Sequence, residues 1–291
     1  MNKNFLSSML MSSLLVSFLA MAVPGVVAPD GGTPHKLEFV FVVPSYNNAK
    51  YARRNLESLI HQNTQNPYSI IVINDCSTDS TGALLETFKK EHNLSDSFLK
   101  IIHNPHRKGA LANIYNTIHT RCKDHQIVVL VDGDDAVAHN NVLTRLEQEY
   151  ANPDVWMSYG QFIFFPSAEW GTTYEIPREA LEQRKVRTLI YVAQHLRTFK
   201  AALFKKIKRE HLMKEGTFFA MNADMAIMIP MLEMAAPIDE FSQNHSVFIP
   251  DILCIYTYDN PLNDHVVNRA LQLELEEVIR AFKPYEPLER L

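Results

Sequence analysis

The sequence is short of cysteine, of glycine and of net positive charge. Its three cysteines, Cys76, Cys122 and Cys254, lie far apart, have no CxxC spacing and are odd in number. That pattern suggests neither a zinc site nor a disulfide framework, and buried thiols are the simpler account. Glycines number nine, and no glycine-rich phosphate loop follows the first apolar run, which counts against a nucleotidyltransferase. Lys and Arg total 28 against 33 Asp and Glu, a formal net charge of -5. The chain as a whole therefore offers no basic field to a polyanion, and nucleic acid is not an expected partner. No fixed-period repeat appears.

What is present is the composition of a globular chain: 291 residues, 46% hydrophobic and 21% charged, enough to bury a full core as one large domain or two small ones. The N-terminus stands apart. Residues 5–28 carry no charge, follow a single Lys3 and contain FLSSMLMSSLLVSFLAMA. A signal peptide is one reading, with a small-x-small site ending at Ala22 and an alternative cut after Ala28 disfavoured by Pro29. A retained membrane anchor is the other, since about 20 apolar residues span a bilayer, although Pro24 and Gly25 weaken the far end. Flanking charges are too few to fix an orientation. The chain thus divides into residues 1–28 (signal or anchor), a domain over residues 37–260, and a helical extension over residues 261–291.

After the turn-rich link PDGGTPHK, apolar strand-like runs alternate with amphipathic helical stretches. LEFVFVVP (37–44), YSIIVIND (68–75), FLKIIHN (98–104) and QIVVLVD (126–132) read as strands. Helical spacing follows each of the first three, with Ser77 or Asp79 as N-cap of the second helix. Such alternation implies an α/β fold, a mostly parallel sheet with helices on both faces.

Ligands of such sheets bind outside the carboxyl ends of the strands. The residues there are Pro44, Ser45, Tyr46, Asn47 and Asn48 after the first run, Asp75, Cys76 and Ser77 after the second, His106, Arg107 and Lys108 after the third, and Asp132, Asp134 and Asp135 after the fourth. Carboxylates crowded at one strand end repel each other unless a cation or hydrogen-bond donors compensate. Hard oxygen ligands suit Mg²⁺ or Mn²⁺, and a site with one or two protein carboxylates leaves places for phosphate oxygens. The bland account is an acidic turn that caps a helix or binds water.

Together, VVPSYNN (42–48), IIVINDCSTDST (70–81) and VDGDD (131–135) resemble the family 2 glycosyltransferases, which have the nucleotide-diphospho-sugar transferase (GT-A) fold, a mixed, mostly parallel central sheet flanked by helices. The segment from Gly109 to Ile118, with Asn113, resembles the stretch that packs below the donor site. Order and spacing agree over residues 38–160 and more weakly to about residue 260. The resemblance implies that Pro44, Tyr46 and Asn47 form the donor turn, with Tyr46 stacking on the nucleobase. Asp75 would accept from its ring N–H, which favours uracil or thymine, although Asn74 stands where the family often has a first acid. Arg107 or Lys108 would neutralise diphosphate charge. Asp134 would lie near the ribose or metal, Asp135 would be the direct metal ligand, and Asp132 is an additional donor-site candidate. Ordinary accounts exist for each: a packed aromatic, a helix cap, a solvated loop.

In the second half, DVWMSYGQFIFFPS (154–167) suggests strands that extend the sheet. HLRTFKAALFKKI (195–207) reads as a short strand or turn and then a helix; its placement resembles the family's acceptor-side segment, which makes His195 and Arg197 acceptor candidates. Asp224 opens the apolar helical stretch NADMAIMIPMLEMA (222–235), where the family has its catalytic base; the usual paired acid is absent, Ala223 and Met225 being the neighbours. By itself the position also suits an N-cap or first-turn charge. Glu233, further along, reads as structural. IYTYDNPLNDHVV (255–267) is turn-rich, and His265 within it becomes a metal candidate because related enzymes complete that site from a C-terminal histidine. A surface histidine is the plain alternative.

The resemblance implies a metal-dependent, inverting transferase that moves a sugar from a nucleotide-diphosphate donor, a UDP-sugar, to a glycan, lipid or protein hydroxyl, with Mn²⁺ or Mg²⁺ as cofactor. The rival of another class is a non-catalytic secreted protein that binds a sugar or nucleotide on the same scaffold. Export would carry the chain to a bacterial periplasm or exterior, where activated sugars are scarce, or to a eukaryotic lumen that contains them; the sequons at Asn93 and Asn244 matter only in the latter.

Overall fold

The four apolar runs form strands at the centre of the chain. In chain order the first half comprises β1 (Phe39–Ser45), α1 (Ala52–Ile60), β2 (Tyr68–Asn74), α2 (Thr81–Glu91), β3 (Leu99–His103), α3 (Ala110–Arg121) and β4 (Ile127–Leu130). β1 lies between β2 and β4, and β3 flanks β2, all in parallel. Alternation along β1 sorts its side chains between the two faces: Phe39, Phe41 and Val43 join Leu56, Leu59, Leu85 and Phe88, whereas Val40 and Val42 join Leu111, Ile114 and Ile118. α1 and α2 thus cover one face and α3 the other. Because the chain steps from β1 outward to β3 and then returns to the far side of β1, the carboxyl ends of β1 and β4 flank a topological switch point, where a crevice opens.

The computed structural model describes residues 36–291, which form one compact unit. The hydrophobic segment 5–28, read as signal or anchor, lies outside the described residues. Among those described, no helix is long and apolar enough to cross a membrane.

The second half contributes β5 (Ala136–Val137), α4 (Val142–Tyr150), β6 (Met157–Phe165), α5 (Arg178–Glu182), β7 (Arg197–Lys200), α6 (Ala201–Phe204), β8 (Met213–Lys214), β9 (Thr217–Phe218), α7 (Ala223–Met234), β10 (Ser246–Thr257), α8 (Asp264–Val267) and α9 (Arg269–Ala281). The large sheet runs β3-β2-β1-β4-β7-β6-β10-β5. β7 is antiparallel to both β4 and β6, so the sheet is mixed, as the resemblance implies. β8 and β9 form a separate hairpin.

α7 is apolar on all sides and is buried along nearly its whole length, the signature of a core helix. α9 packs against the same core through Leu275 and Ile279. Buried Arg187 forks onto Glu233 of α7 at 2.7 and 2.8 Å and donates to the carbonyl of Ile279 in α9. The Tyr285 N–H also donates to Glu233, at 3.1 Å. The stretch expected as a helical extension, residues 261–291, thus packs on the same core as α7. β10 differs from expectation: the stretch read as turn-rich from residue 255 is strand as far as Thr257. Pro250, which lacks an N–H, falls where the β6–β10 register shifts between Ile249 and Ile252.

Candidate active site

The crevice is built from the ends of several strands and the starts of α3 and α7. On its first wall, Pro44, Tyr46 and Asn48 line the opening. Asn47 does not; its backbone has φ 52°, and its carboxamide accepts from the Thr78 N–H at 2.8 Å, lacing the turn after β1 to the turn after β2. Asp75 is buried and already accepts three hydrogen bonds: from the Asn104 amide at 2.7 Å, the Lys108 N–H at 2.9 Å and the Gly109 N–H at 2.8 Å. Burial alone would raise its pKa, but these donors and the nearby Asn113 amide hold it below the usual carboxylate value. A carboxylate accepts about four such bonds, so one place remains for a ligand N–H. Asp75 also fixes the loop that presents Arg107, whose guanidinium lies 3.9 Å above the Tyr46 ring. Lys108 contributes its backbone, while its side chain is exposed and lies off the cleft wall.

The acidic turn is held from α1. Asn55 donates to the carbonyls of Asp132 and Asp135 at 3.1 and 3.0 Å, and Arg54 donates to that of Asp134 at 2.7 Å. Gly133 fits because nothing larger can: a Cβ there would stand 2.5 Å from the Ser45 Oγ. Asp132 and Asp134 face the cleft. Asp134 accepts from the Asn260 amide at 2.5 Å, and its pKa is pushed up to about 6 by burial and by the adjacent Asp132 charge. Asp132 is paired with Arg197 at 2.7 Å.

Asp135, expected from the resemblance to be the direct metal ligand, takes a different direction from its two acidic neighbours. It is wholly buried and points beneath the turn, where one carboxylate oxygen accepts from the Thr257 N–H at 2.8 Å. Burial and its two acidic neighbours push its pKa well up. Among the described residues its other oxygen has no hydrogen-bond partner, and it lies with His195 and Cys254 in a cluster of potential metal-ligand atoms within 4.8 Å of one another. The His195 Nδ1 in that cluster lies 3.2 Å from the Arg197 guanidinium, a donor that competes for the lone pair a cation needs. The carboxylates of this turn that line the cleft are Asp132 and Asp134.

Across the cleft, Asp224 sits in the first turn of α7. Burial raises its pKa, and the Arg197 charge and the Met225 N–H oppose that rise. Arg197 is thus the cation between Asp132 and Asp224, and its proximity together with burial keeps His195 well below the ordinary histidine pKa. Both His195 and Arg197 line the cleft. The His265 side chain lies outside the described residues.

Three cleft residues had no sequence signal. Tyr256, one residue before the end of β10, stacks on His195 with ring centroids 5.0 Å apart. Asn260 reaches Asp134, and Asp264, its pKa pushed up to about 6 chiefly by burial, accepts from the Asn222 N–H at 3.0 Å. The turn-rich character of 255–267 marked a loop there but not its destination.

Solved structures define the class first. The structure of S. aureus TarS in complex with UDP-GlcNAc superposes with a TM-score of 0.56 at 16% identity, covering 84% of this chain and 65% of that one. A mannosyltransferase from Pyrobaculum calidifontis, in complex with GDP-Man and Mn²⁺, gives 0.52 at 19%, covering 85% and 65%. At such identities the likeness establishes the fold, GT-A. Residues 40–226 match Glycosyl transferase family 2, and the chain belongs to that family. Among curated relatives, glycosyltransferase GlyG of Streptococcus pneumoniae serotype 4 is 28% identical over 180 residues, 58% of this chain and 56% of its own. The poly(ribitol-phosphate) beta-N-acetylglucosaminyltransferase TarS of Staphylococcus aureus is 30% identical over 102 residues, 35% of this chain and 17% of its own. The chain therefore spans about half of one relative and a smaller share of the other.

Proposed function

We propose that the protein transfers a sugar from a nucleotide-diphosphate donor, UDP-linked in the first instance, to an acceptor hydroxyl of a glycan, lipid or protein, with inversion at the anomeric carbon. The observation that carries this reading is the placement of Asp224 in the same cleft as Asp132 and Asp134, with Arg197 between them. On the donor side, Tyr46 and Arg107 offer a stacked platform for a nucleobase, and the remaining lone pair of Asp75 suits a ring N–H.

The acidic turn fits a divalent cation: two cleft-facing hard carboxylates stand side by side, and burial with the adjacent Asp132 charge raises the pKa of Asp134, a cost that a bound cation would relieve. Asp134, with Asp132 beside it, would hold Mn²⁺ or Mg²⁺. Bound there, such an ion supplies the charge that stabilises a departing nucleoside diphosphate. Asp224 takes the proton of the acceptor hydroxyl; that oxygen forms its bond to the anomeric carbon, and the bond to the diphosphate breaks with its electron pair leaving on the nucleotide. Burial raises the pKa of Asp224, which suits it to take a hydroxyl proton, and the Arg197 charge favours its ionised form.

The test is a calorimetric titration of the purified protein with UDP, GDP and TDP, each with Mn²⁺. Metal-dependent nucleotide binding is expected in the wild type, lost in Asp134→Ala and retained in Asp224→Asn, whose sugar-transfer rate falls about 10²–10⁴-fold. A folded protein that binds none of the three nucleotides would sink the reading. The hydrophobic character of residues 5–28 supports delivery to or across a membrane, which fractionation of tagged cells checks; recovery wholly in the cytosol argues against it.

A further inference from the structure

The cleft carboxylate on the acceptor side is seated in an unusual way. Asn222, the residue before α7, has φ 57° and ψ 33°, a left-handed conformation, and its side chain makes no capping bond to its own helix. An N-cap residue ordinarily has extended backbone and uses its side-chain oxygen to accept from the first turn. Here the Asn222 amide donates away from the helix, to the Gln272 carbonyl at 2.7 Å, while its backbone N–H donates to the Asp264 carboxylate at 3.0 Å. Both partners lie in one stretch of chain, which also carries Asn260, whose amide donates to Asp134 across the cleft. The Asn263 amide, donating to the carbonyls of Thr257 and Tyr258, fixes the turn from which this stretch departs. It falls beyond residues 40–226, the extent of the family match.

We propose that residues 260–272 form a positioning strap: Asp264 and the Gln272 carbonyl hold Asn222 and thereby the start of α7 and the direction of the Asp224 side chain, while Asn260 holds Asp134. One segment so keeps the donor-side and acceptor-side carboxylates in register. Asp264 acts through Asn222 and is a positioning residue. The role given to Asp224 rests on the transferase reading; the clamp on Asn222 does not.

The experiment compares the full-length wild type with Asp264→Ala and Asp264→Asn. Three quantities are followed: amide hydrogen exchange over residues 220–227, calorimetric affinity for UDP with Mn²⁺, and UDP release from UDP-N-acetylglucosamine and UDP-glucose. Asp264→Ala is expected to speed exchange at the start of α7 at least 10-fold, to leave UDP affinity within about 2-fold, and to lower kcat 10- to 100-fold, the scale of a displacement of about 1 Å in a reacting group. Asp264→Asn keeps an oxygen that accepts from Asn222 and should restore both exchange and kcat. Unchanged exchange in Asp264→Ala overturns the proposal. So does an Asp264→Asn variant with restored exchange and unrestored kcat, since the carboxylate would then act by direct contact with substrate. If the wild type neither binds UDP nor turns over either donor, the transferase reading is what fails, and the exchange comparison still decides the clamp.

Discussion

Adjacent acids in a tight turn cannot share one role, because successive side chains leave the backbone in different directions. Asp132 and Asp134 reach the cleft and Asp135 goes under it, a difference that spacing alone did not reveal. That Asp75, Asp134 and Asp224 reach one cleft was legible because each follows a strand or opens a helix, at points where the topology opens a crevice. Asp264 was not legible: it sits in a polar, turn-rich run with no period, and only the folded chain brings it to Asn222. Gly133 is the residue on which the acidic turn depends most directly. Gly133→Ala would push a methyl group to 2.5 Å from the Ser45 Oγ and 2.8 Å from the Asn48 amide. A loss of about 1–3 kcal/mol in urea unfolding is expected, with weaker UDP binding, because the turn must shift away from the β1 end to relieve the contact.

At the scale of elements, the parallel half was readable from continuous apolar runs, whereas β10 was not, because Pro250 and Asp251 interrupt the pattern where the strand slips register. The C-terminal helix looked like an appendage for a related reason: amphipathic spacing says that a face is buried but not against what. Its attachment rests on the Arg187–Glu233 pair, with side-chain exposures of 6% and 1%. Removing one member of such a pair strands the other charge. Arg187→Ala should therefore cost about 3–5 kcal/mol, whereas Arg187→Met combined with Glu233→Leu should cost distinctly less, since no buried charge remains. Denaturant unfolding of the three proteins measures the contrast, and equal losses in the single and double variants would refute this account of the pair.

Across the whole molecule, two sets of carboxylates pull stability in opposite directions with pH. Asp134 and Asp264 have folded pKa values of about 6, raised from 3.8. Between about pH 4 and 6 the folded chain holds protons there that the unfolded chain has released, so their contribution falls as pH rises through that window and the loss is complete above it. Asp75 and Asp79 are held low, and Asp96 lies at about 2; their contribution is present above pH 4 and is lost as the pH drops towards the folded values. In a chelator-containing buffer, Asp264→Asn should flatten the decline in the urea midpoint between pH 4.5 and 7 while leaving the acid limb unchanged. A variant that declines as steeply as the wild type would show that Asp264 titrates normally.

The bond from the Thr257 N–H to Asp135 joins residues 122 positions apart. The only sheet partner of β5 among the described residues is β10, so the strand that directly follows the acidic turn is equally dependent on that distant segment. The βαβ units that pair β1 with β2 and β2 with β3, by contrast, join partners much closer in sequence, Phe39 with Tyr68 and Ile70 with Leu99. Contacts that close long loops carry a larger entropic cost and tend to form late. During folding, the cleft wall that carries Tyr46 and Asp75 therefore takes shape well before the turn beside it is fastened. Closure of the long loop, rather than growth of the parallel sheet, would time the completion of the cleft.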